Sequence, residues 1–177
     1  MAKQNFWAQI ANIPNDLLVA KELLYDKAGY NCSPPILEPE SADYGACSFE
    51  LNNLSVKFRT AKITPTKVGQ FVTFWKREGK GPIQPYDSSD NFDLLIVSVR
   101  RGKNLGQFFF PKEVLIKQGI LSTKSKEGKR ALRVYPPWDK TTSAQAQKTQ
   151  KWQSEFFLEI TENKQVDKAL AKILIGN

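Results

Sequence analysis

The chain has 177 residues, of which 41% are hydrophobic and 25% are charged, a balance that predicts a folded domain rather than a disordered chain. It contains no histidine and only two cysteines, Cys32 and Cys47. This excludes histidine-based acid–base chemistry, Ser–His and Cys–His pairs and the usual zinc sites. The net charge of +8 favours polyanionic partners, although a merely basic protein is the simpler alternative.

The N-terminal residues and the long apolar stretches do not resemble targeting segments. No apolar run follows the first residues as in a secretory signal, and none approaches the roughly 18 apolar residues that a membrane span needs. Two cysteines in a chain of this length do not form a disulfide framework. We therefore expect a cytoplasmic protein with no membrane partner.

Helical signals open the chain. Asn15 or Asp16 can cap a helix that ends at Gly29. At helical spacing, its expected buried face consists of Leu17, Ala20, Leu24 and Ala28.

Residues 43–62 read as a β-hairpin with a two-residue turn at Asn52 and Asn53, because asparagine tolerates positive φ. In this register the position numbers of facing residues sum to 105, and apolar and polar side chains separate cleanly onto the two faces. Extended to its ends, the register brings Asp43 opposite Lys62.

The next segments alternate between helical and extended patterns. Thr64 and Pro65 resemble the start of a helix, whose expected buried stripe is Val68, Phe71, Val72 and Trp75. A loop over 79–91 then leads to a strand over 92–99, which is apolar enough to be buried on both faces. A turn over 101–104 joins it to a second strand over 107–110.

The C-terminal third is predicted to contain three helices and a short strand. A helix runs from Pro111 to Gly119, a strand covers 131–135, and Thr142 or Ser143 caps a helix that reaches about residue 158. The side of that helix expected to be buried carries Ala146, Thr149, Trp152 (or Gln153) and Phe156. The terminal helix, within 165–175, is expected to bury Val166, Leu170 and Ile173.

This order of elements predicts an α/β (α+β) fold with a mixed sheet flanked by helices. We expect a single domain over residues 1–177. Its core covers about 15–118, and a basic C-terminal extension, about 119–177, packs on that core.

The positive charge is concentrated in two segments. Residues 57–80, the first basic segment, carry seven cationic side chains against one acidic one; residues 124–151, the second basic segment, carry eight against two. Each has a net charge of +6, so the rest of the chain is net acidic. Either segment alone could be an ordinary solvated face, but together they predict a surface that contacts phosphates.

Aromatic and amide side chains lie among these charges and could stack on bases or reach base edges. Trp138, in a proline-rich turn, is the better stacking candidate, whereas Trp152 is expected to pack in the core. The predicted nucleic-acid contacts are Lys57, Arg59, Lys62, Lys67, Lys76, Arg77, Arg130, Arg133, Tyr135, Trp138, Lys140, Lys148 and Lys151.

The hairpin also resembles the PD-(D/E)xK restriction-endonuclease-like superfamily. In that superfamily an aspartate and a second acid hold Mg²⁺, and a lysine acts beside them. Here Asp43 and Lys62 would match, but Thr60 replaces the second acid, so the site would be vestigial. The resemblance implies a restriction-endonuclease-like core with C-terminal helices. An ion pair at the end of the strands is the alternative interpretation of Asp43 and Lys62.

Four segments together resemble the MepB family: YGACSFE (44–50), FRTAKITPTKVGQFVTFWKR (58–77), GQFFFPKEVL (106–115) and RVYPPWDKTTSAQAQKTQKWQ (133–153). The likeness covers roughly residues 43–157, and its last stretch is highly specific. It implies a small bacterial cytosolic protein and transfers no catalytic residues.

The function predicted from the sequence is therefore non-catalytic binding of DNA or RNA through a basic face, with no resident metal or small-molecule cofactor. One alternative is a metal-dependent nuclease with a degenerate site at Asp43 and Lys62, which would require Mg²⁺. The other is an adaptor whose basic faces bind an acidic protein.

Overall fold

The computed structural model describes residues 6–176, so the ends of the predicted domain, 1–5 and 177, lie outside the described residues. None of the helices in this range is long and apolar enough to cross a membrane. The helices are α1 (Asn15–Ala20), which continues as a π-helical segment (Lys21–Tyr25), α2 (Lys112–Lys117), α3 (Ala144–Ser154) and α4 (Lys168–Ile175). Short 3₁₀ turns cover Phe6–Gln9 and Ala42–Tyr44.

The strands form one large sheet and two small ones. The strands are β1 (Ile36–Leu37), β2 (Cys47–Leu51), β3 (Leu54–Thr60), β4 (Lys62–Ile63), β5 (Gln70–Thr73), β6 (Trp75–Arg77), β7 (Ile83–Pro85), β8 (Leu94–Arg101), β9 (Asn104–Pro111), β10 (Ala131–Val134) and β11 (Phe157–Glu159). The large sheet has the order β1-β2-β3-β8-β9-β11; β3 and β8 are parallel and the other pairs antiparallel. The predicted mixed sheet is thus confirmed.

Both faces of the large sheet are covered. Along β8, Leu94 and Ile96 pack in a cluster with apolar residues of α1 and α4. The intervening Leu95, Val97 and Val99 pack with residues of β5, β10 and α2 on the other face. This alternation confirms that the apolar run predicted over 92–99 contains a strand buried on both sides, although the strand begins at Leu94.

The small sheets are built mostly from the middle of the chain, and β10 adds a strand from its C-terminal part. The three-stranded sheet has the order β10-β5-β4, and β6 and β7 form a two-stranded ribbon. Strand β10 therefore pairs with β5, and β11 pairs with β9 of the large sheet. The region predicted as a C-terminal extension supplies strands to two of the sheets.

The hairpin register is confirmed. Leu51 faces Leu54, Cys47 faces Phe58, and every pair between them follows the predicted sum. Asn52 and Asn53 both have positive φ, at 50° and 69°, as the turn requires.

The hairpin does not extend to Asp43, however. Strand β2 begins at Cys47, and the left-handed residues Ser41 and Gly45 flank the 3₁₀ turn that holds Asp43. Lys62 lies opposite Phe71 in the three-stranded sheet. The predicted pairing of Asp43 with Lys62 is therefore wrong.

The predicted helix that starts at Thr64 is also wrong. Residues 64–69 form a loop, and the following residues form β5 and β6. Val72 and Phe74 are buried at a spacing of two, whereas Val68 is 41% exposed. The apolar positions fit both the helical period of 3.6 and the strand period of two. Pairing with β10, about 60 residues away in sequence, favours the strand.

Helix α1 is not capped as expected. Pro14 occupies the N-cap position with no side-chain cap, and Asp16 instead accepts a hydrogen bond from Arg100 Nε at 2.8 Å. Leu17, Ala20 and Leu24 are buried, as predicted for this face, whereas the helical residues end at Tyr25 and Ala28 is only partly buried in the turn that follows.

The two C-terminal helices differ in length and orientation from the prediction. Helix α3 is capped by Ser143 but ends at Ser154, because the residues that follow enter β11 and pair with β9. In α4 the buried residues are Ala171, Leu174 and Ile175, while Ile173 is 79% exposed. The predicted face of α4 is therefore wrong at Ile173.

Candidate functional site

The side-chain amide of Gln153 joins helix α3 to the open edge of the three-stranded sheet. Strand β10 is an edge strand, and the outer edge of such a strand carries unpaired backbone groups. Gln153 is 1% exposed, accepts from the Tyr135 backbone N–H at 2.8 Å and donates to the Arg133 carbonyl at 3.1 Å. The amide thus takes the place of a neighbouring strand and fixes α3 beside β10.

Arg133 holds the loop over residues 64–69 against the same strand. Its Nη1 donates to Thr64 Oγ1 at 3.1 Å and to the carbonyl oxygens of Val68 and Gly69 at 3.4 and 3.2 Å. Gly69 has φ +81°, and a Cβ there would lie 2.7 Å from two ring carbons of Tyr135. Only glycine allows this approach, which sets the position of the tyrosine ring.

A groove of about 690 Å³ lies between this loop, β10 and α3. Lys67 contributes to it from the first basic segment, and Lys129 and Arg133 contribute from the second. Tyr135 and Trp152 add aromatic rings to the lining. None of the described residues that line the groove is acidic, so its charge is wholly positive.

A row of cationic and aromatic side chains runs across the three-stranded sheet from this groove. Phe71 lies between Lys62 and Arg133 in register, so the three side chains share one face. The Arg133 guanidinium lies 5.8 Å from the Phe71 ring centroid, and Lys62 Nζ lies 4.5 Å from that of Tyr44. Lys62 is therefore a neighbour of the groove although it is not part of its lining.

Asp139 is a buried carboxylate between β10 and α3. Its side chain is 2% exposed, and Oδ1 lies 3.2 Å from Arg101 Nε. Oδ2 has no hydrogen-bond partner within residues 6–176. Burial raises the pKa of Asp139 above its ordinary value, and the attraction of Arg101 only partly opposes that rise.

Several predicted contacts are paired with carboxylates instead of facing solvent freely. The pairs are Lys57 and Arg59 with Glu38, Lys76 with Asp90, Arg77 with Glu40, and Arg130 with Glu127. A neighbouring carboxylate cancels most of the field that a phosphate would feel, so these cations contribute less than their number suggests.

Arg59 is the clearest departure from the predicted basic surface. Its side chain is fully buried, with Nη1 3.1 Å from Glu38 Oε2 and 2.8 Å from the carbonyl oxygen of Phe58. The prediction that Arg59 contacts a phosphate from the surface is therefore wrong. The alternation of β3 points this residue inward, towards the Phe74 ring at 5.4 Å.

The remaining predicted residues lie around the groove rather than in it. Lys140, Lys148 and Lys151 are exposed. At 100° per residue, Lys148 flanks the groove-facing side of α3 and Lys151 projects from the opposite side. Trp138 packs edge-on against Phe157 at 5.5 Å and lines a different cavity, beside α4.

Among the described residues, no hydrogen bond or ion pair joins Asp43 to Lys62 or to Thr60, although Lys62 lies beside Tyr44, the neighbour of Asp43. Asp43 lies in the 3₁₀ turn, Lys62 lies in β4, and the Thr60 hydroxyl is buried without a partner among the described residues. Within residues 6–176 there is no group of three or more cysteine, aspartate or glutamate side chains that could hold a metal ion.

Residues 38–159 match the model of the MepB-like family. The chain belongs to this family. The match includes the loop over 64–69, β10 and α3, so the whole groove of this MepB-like chain lies inside the family region.

Solved structures extend this result. The chain is 34% identical to a crystal structure of MepB, which it matches with a TM-score of 0.73 over 85% of this chain and 99% of the other. A bacterial homing endonuclease, I-Ssp6803I, matches with 16% identity and a TM-score of 0.43, over 76% and 86% of the two chains. No curated protein matches this MepB-like chain.

The structure brings together three of the predicted contacts, Lys67, Arg133 and Tyr135, and adds residues that the sequence did not single out. Lys129 was counted in the second basic segment, but nothing in its spacing marked it as a groove residue. Gly69 acts through its lack of a side chain, and Gln153, predicted only as a possible member of the buried stripe of α3, acts through its amide. The arrangement of β10 beside β5 and α3 is what shows both roles.

Proposed function

We propose that this MepB-like protein binds nucleic acid, without catalysing its cleavage, through the groove between the 64–69 loop, β10 and α3. Lys67, Lys129 and Arg133 contact phosphates, and Lys62 extends the contact across the three-stranded sheet. The setting proposed with it is the bacterial cytoplasm, where nucleic acid is abundant.

The observation that carries this proposal is the convergence of unpaired cations from distant segments. Lys67 and Lys129 are 62 positions apart in sequence, yet they line one groove with Arg133. None of the three has a carboxylate partner within residues 6–176, in contrast to the paired cations elsewhere in the basic segments. Unpaired cations in a concave site without acids attract phosphate most strongly.

The test measures binding of labelled DNA and RNA oligonucleotides by fluorescence anisotropy over a series of salt concentrations. With phosphate contacts from the four proposed cations, log K should fall by roughly 3 to 4 per tenfold rise in salt, at about 0.7 to 0.9 per contact. The double variant Lys67→Glu with Lys129→Glu should bind at least about tenfold more weakly and reduce that slope by roughly two.

Lys151→Glu is the matched control for the single variant Lys67→Glu, because it makes the same change of charge on the far side of α3. We expect Lys151→Glu to leave affinity within about twofold of the parent protein, and Lys67→Glu to lower it by more than that. If Lys67→Glu and Lys151→Glu lose affinity equally, binding depends on net charge alone and the groove is not the site. If the parent protein binds neither DNA nor RNA at low salt, the proposed function is wrong.

A further inference from the structure

The size of the groove limits what it can receive. Its volume of about 690 Å³ lies within the range of about 300–1,000 Å³ that is typical of small-ligand sites. A site on this scale holds one or two nucleotides. A duplex can touch its rim but cannot enter, because paired bases are stacked inside the double helix.

Two side-chain amides in the lining make no hydrogen bond to the rest of the described residues. Gln118, at the C-terminal end of α2, and Gln145, in the first turn of α3, both line the groove. Among the described residues neither side chain has a hydrogen-bond partner, whereas Gln150 and Gln153 are both bonded to backbone groups. A free amide offers a donor and an acceptor side by side, the pattern that pairs with the edge of a base.

The aromatic residues provide a surface against which a base can stack. Tyr135 is held against Gly69, so little conformational entropy is lost when a ligand meets the ring. Trp152 is packed against Phe110, with ring centroids 5.3 Å apart, and forms a fixed part of the lining. Stacking on aromatic rings is the usual means of binding unpaired bases.

We infer that the groove receives an unpaired base and that the protein therefore binds single-stranded nucleic acid in preference to duplex. The base stacks on Tyr135, its edge pairs with Gln118 and Gln145, and the adjoining phosphates contact Lys67 and Lys129. This inference rests on the proposed function, since it names the form of nucleic acid that the same groove accepts.

The test compares a labelled 12-nucleotide single strand, as DNA and as RNA, with the blunt duplex of the same sequence at one salt concentration. We expect the single strand to bind at least about tenfold more tightly. Tyr135→Leu should weaken single-strand binding about tenfold and leave duplex binding nearly unchanged, and Tyr135→Phe, which keeps the ring, should retain the parent affinity. The DNA and RNA arms identify which polymer supplies the base.

The amides give a second test that does not depend on the packing around Tyr135. The double variant Gln118→Ala with Gln145→Ala should reduce single-strand affinity at least about fivefold, and Gln147→Ala, an exposed position on α3, should not. Thermal melting followed by circular dichroism checks that each variant is folded.

The outcomes separate the inference from the proposal on which it rests. Equal affinity for duplex and single strand, or no loss in the amide double variant, overturns the inference; Lys67→Glu with Lys129→Glu can still weaken binding in that case, and the proposed function then stands. If no nucleic acid binds, both are wrong.

Discussion

Replacing Gly69 with alanine tests the contact that positions the 64–69 loop against Tyr135. Two costs add at this position. The backbone has φ +81°, where a side chain costs roughly 1–2 kcal/mol. The new Cβ would also lie 2.7 Å from two Tyr135 ring carbons and 2.9 Å from the Val134 carbonyl oxygen, a degree of overpacking that typically costs about 1–3 kcal/mol.

We therefore expect Gly69→Ala to lower the free energy of unfolding by about 2–5 kcal/mol, as measured by urea denaturation. Gly102→Ala is the matched control. Gly102 lies in the turn between β8 and β9 with φ +58°, and nothing is within 4 Å of its Cβ position, so only the backbone cost of about 1–2 kcal/mol applies. The difference between the two variants isolates the steric contribution.

The same variant should weaken binding of nucleic acid, because the added methyl group displaces Tyr135 from the groove lining. Gly102→Ala should bind as the parent protein does. If Gly69→Ala proves no more destabilising than Gly102→Ala, the close packing of loop and ring is refuted, and the groove does not have the shape described above.

Two further predictions concern buried polar groups. Gln153→Ala should lower the free energy of unfolding by about 2–4 kcal/mol in urea denaturation, because it leaves the Tyr135 N–H and the Arg133 carbonyl of β10 without partners. Gln147→Ala, at an exposed position, should have little effect. Equal losses in the two variants would contradict the role of Gln153. The pKa of Asp139 in the folded protein is raised above the ordinary aspartate pKa of 3.8. The contribution of this carboxyl group to stability is therefore complete below pH 3.8 and is lost as the pH rises through the folded-state pKa. Denaturation at several pH values should then show the parent protein losing stability relative to Asp139→Asn as pH rises above 3.8, and a constant difference would contradict this.

Local rules in the sequence were sufficient where an element depends on its own residues. Two adjacent asparagines define the turn between β2 and β3, and period-two patterning then sets every facing pair of that hairpin. The apolar run of β8 is long enough to require burial on both faces, so its place at the centre of a mixed sheet could be predicted.

Local rules failed where the decisive partner is distant in sequence. Residues 64–75 contain a capping pattern and helical spacing, yet 70–73 form a strand because β10 and β4 pair with both sides of it. The same limit applies to charge. Sequence counts Arg59 with Lys67, but one is fully buried beside Glu38 and the other is exposed at the groove.

The sequence by itself determined that this protein is basic, that its positive charge is concentrated in two segments, and that it belongs with MepB-like proteins. Only the tertiary structure decided which cations lie together. Composition is a property of the chain, whereas a phosphate responds to the field at one place. That field depends on which side chains from distant segments come within a few ångströms of each other and which of them already have a carboxylate as neighbour.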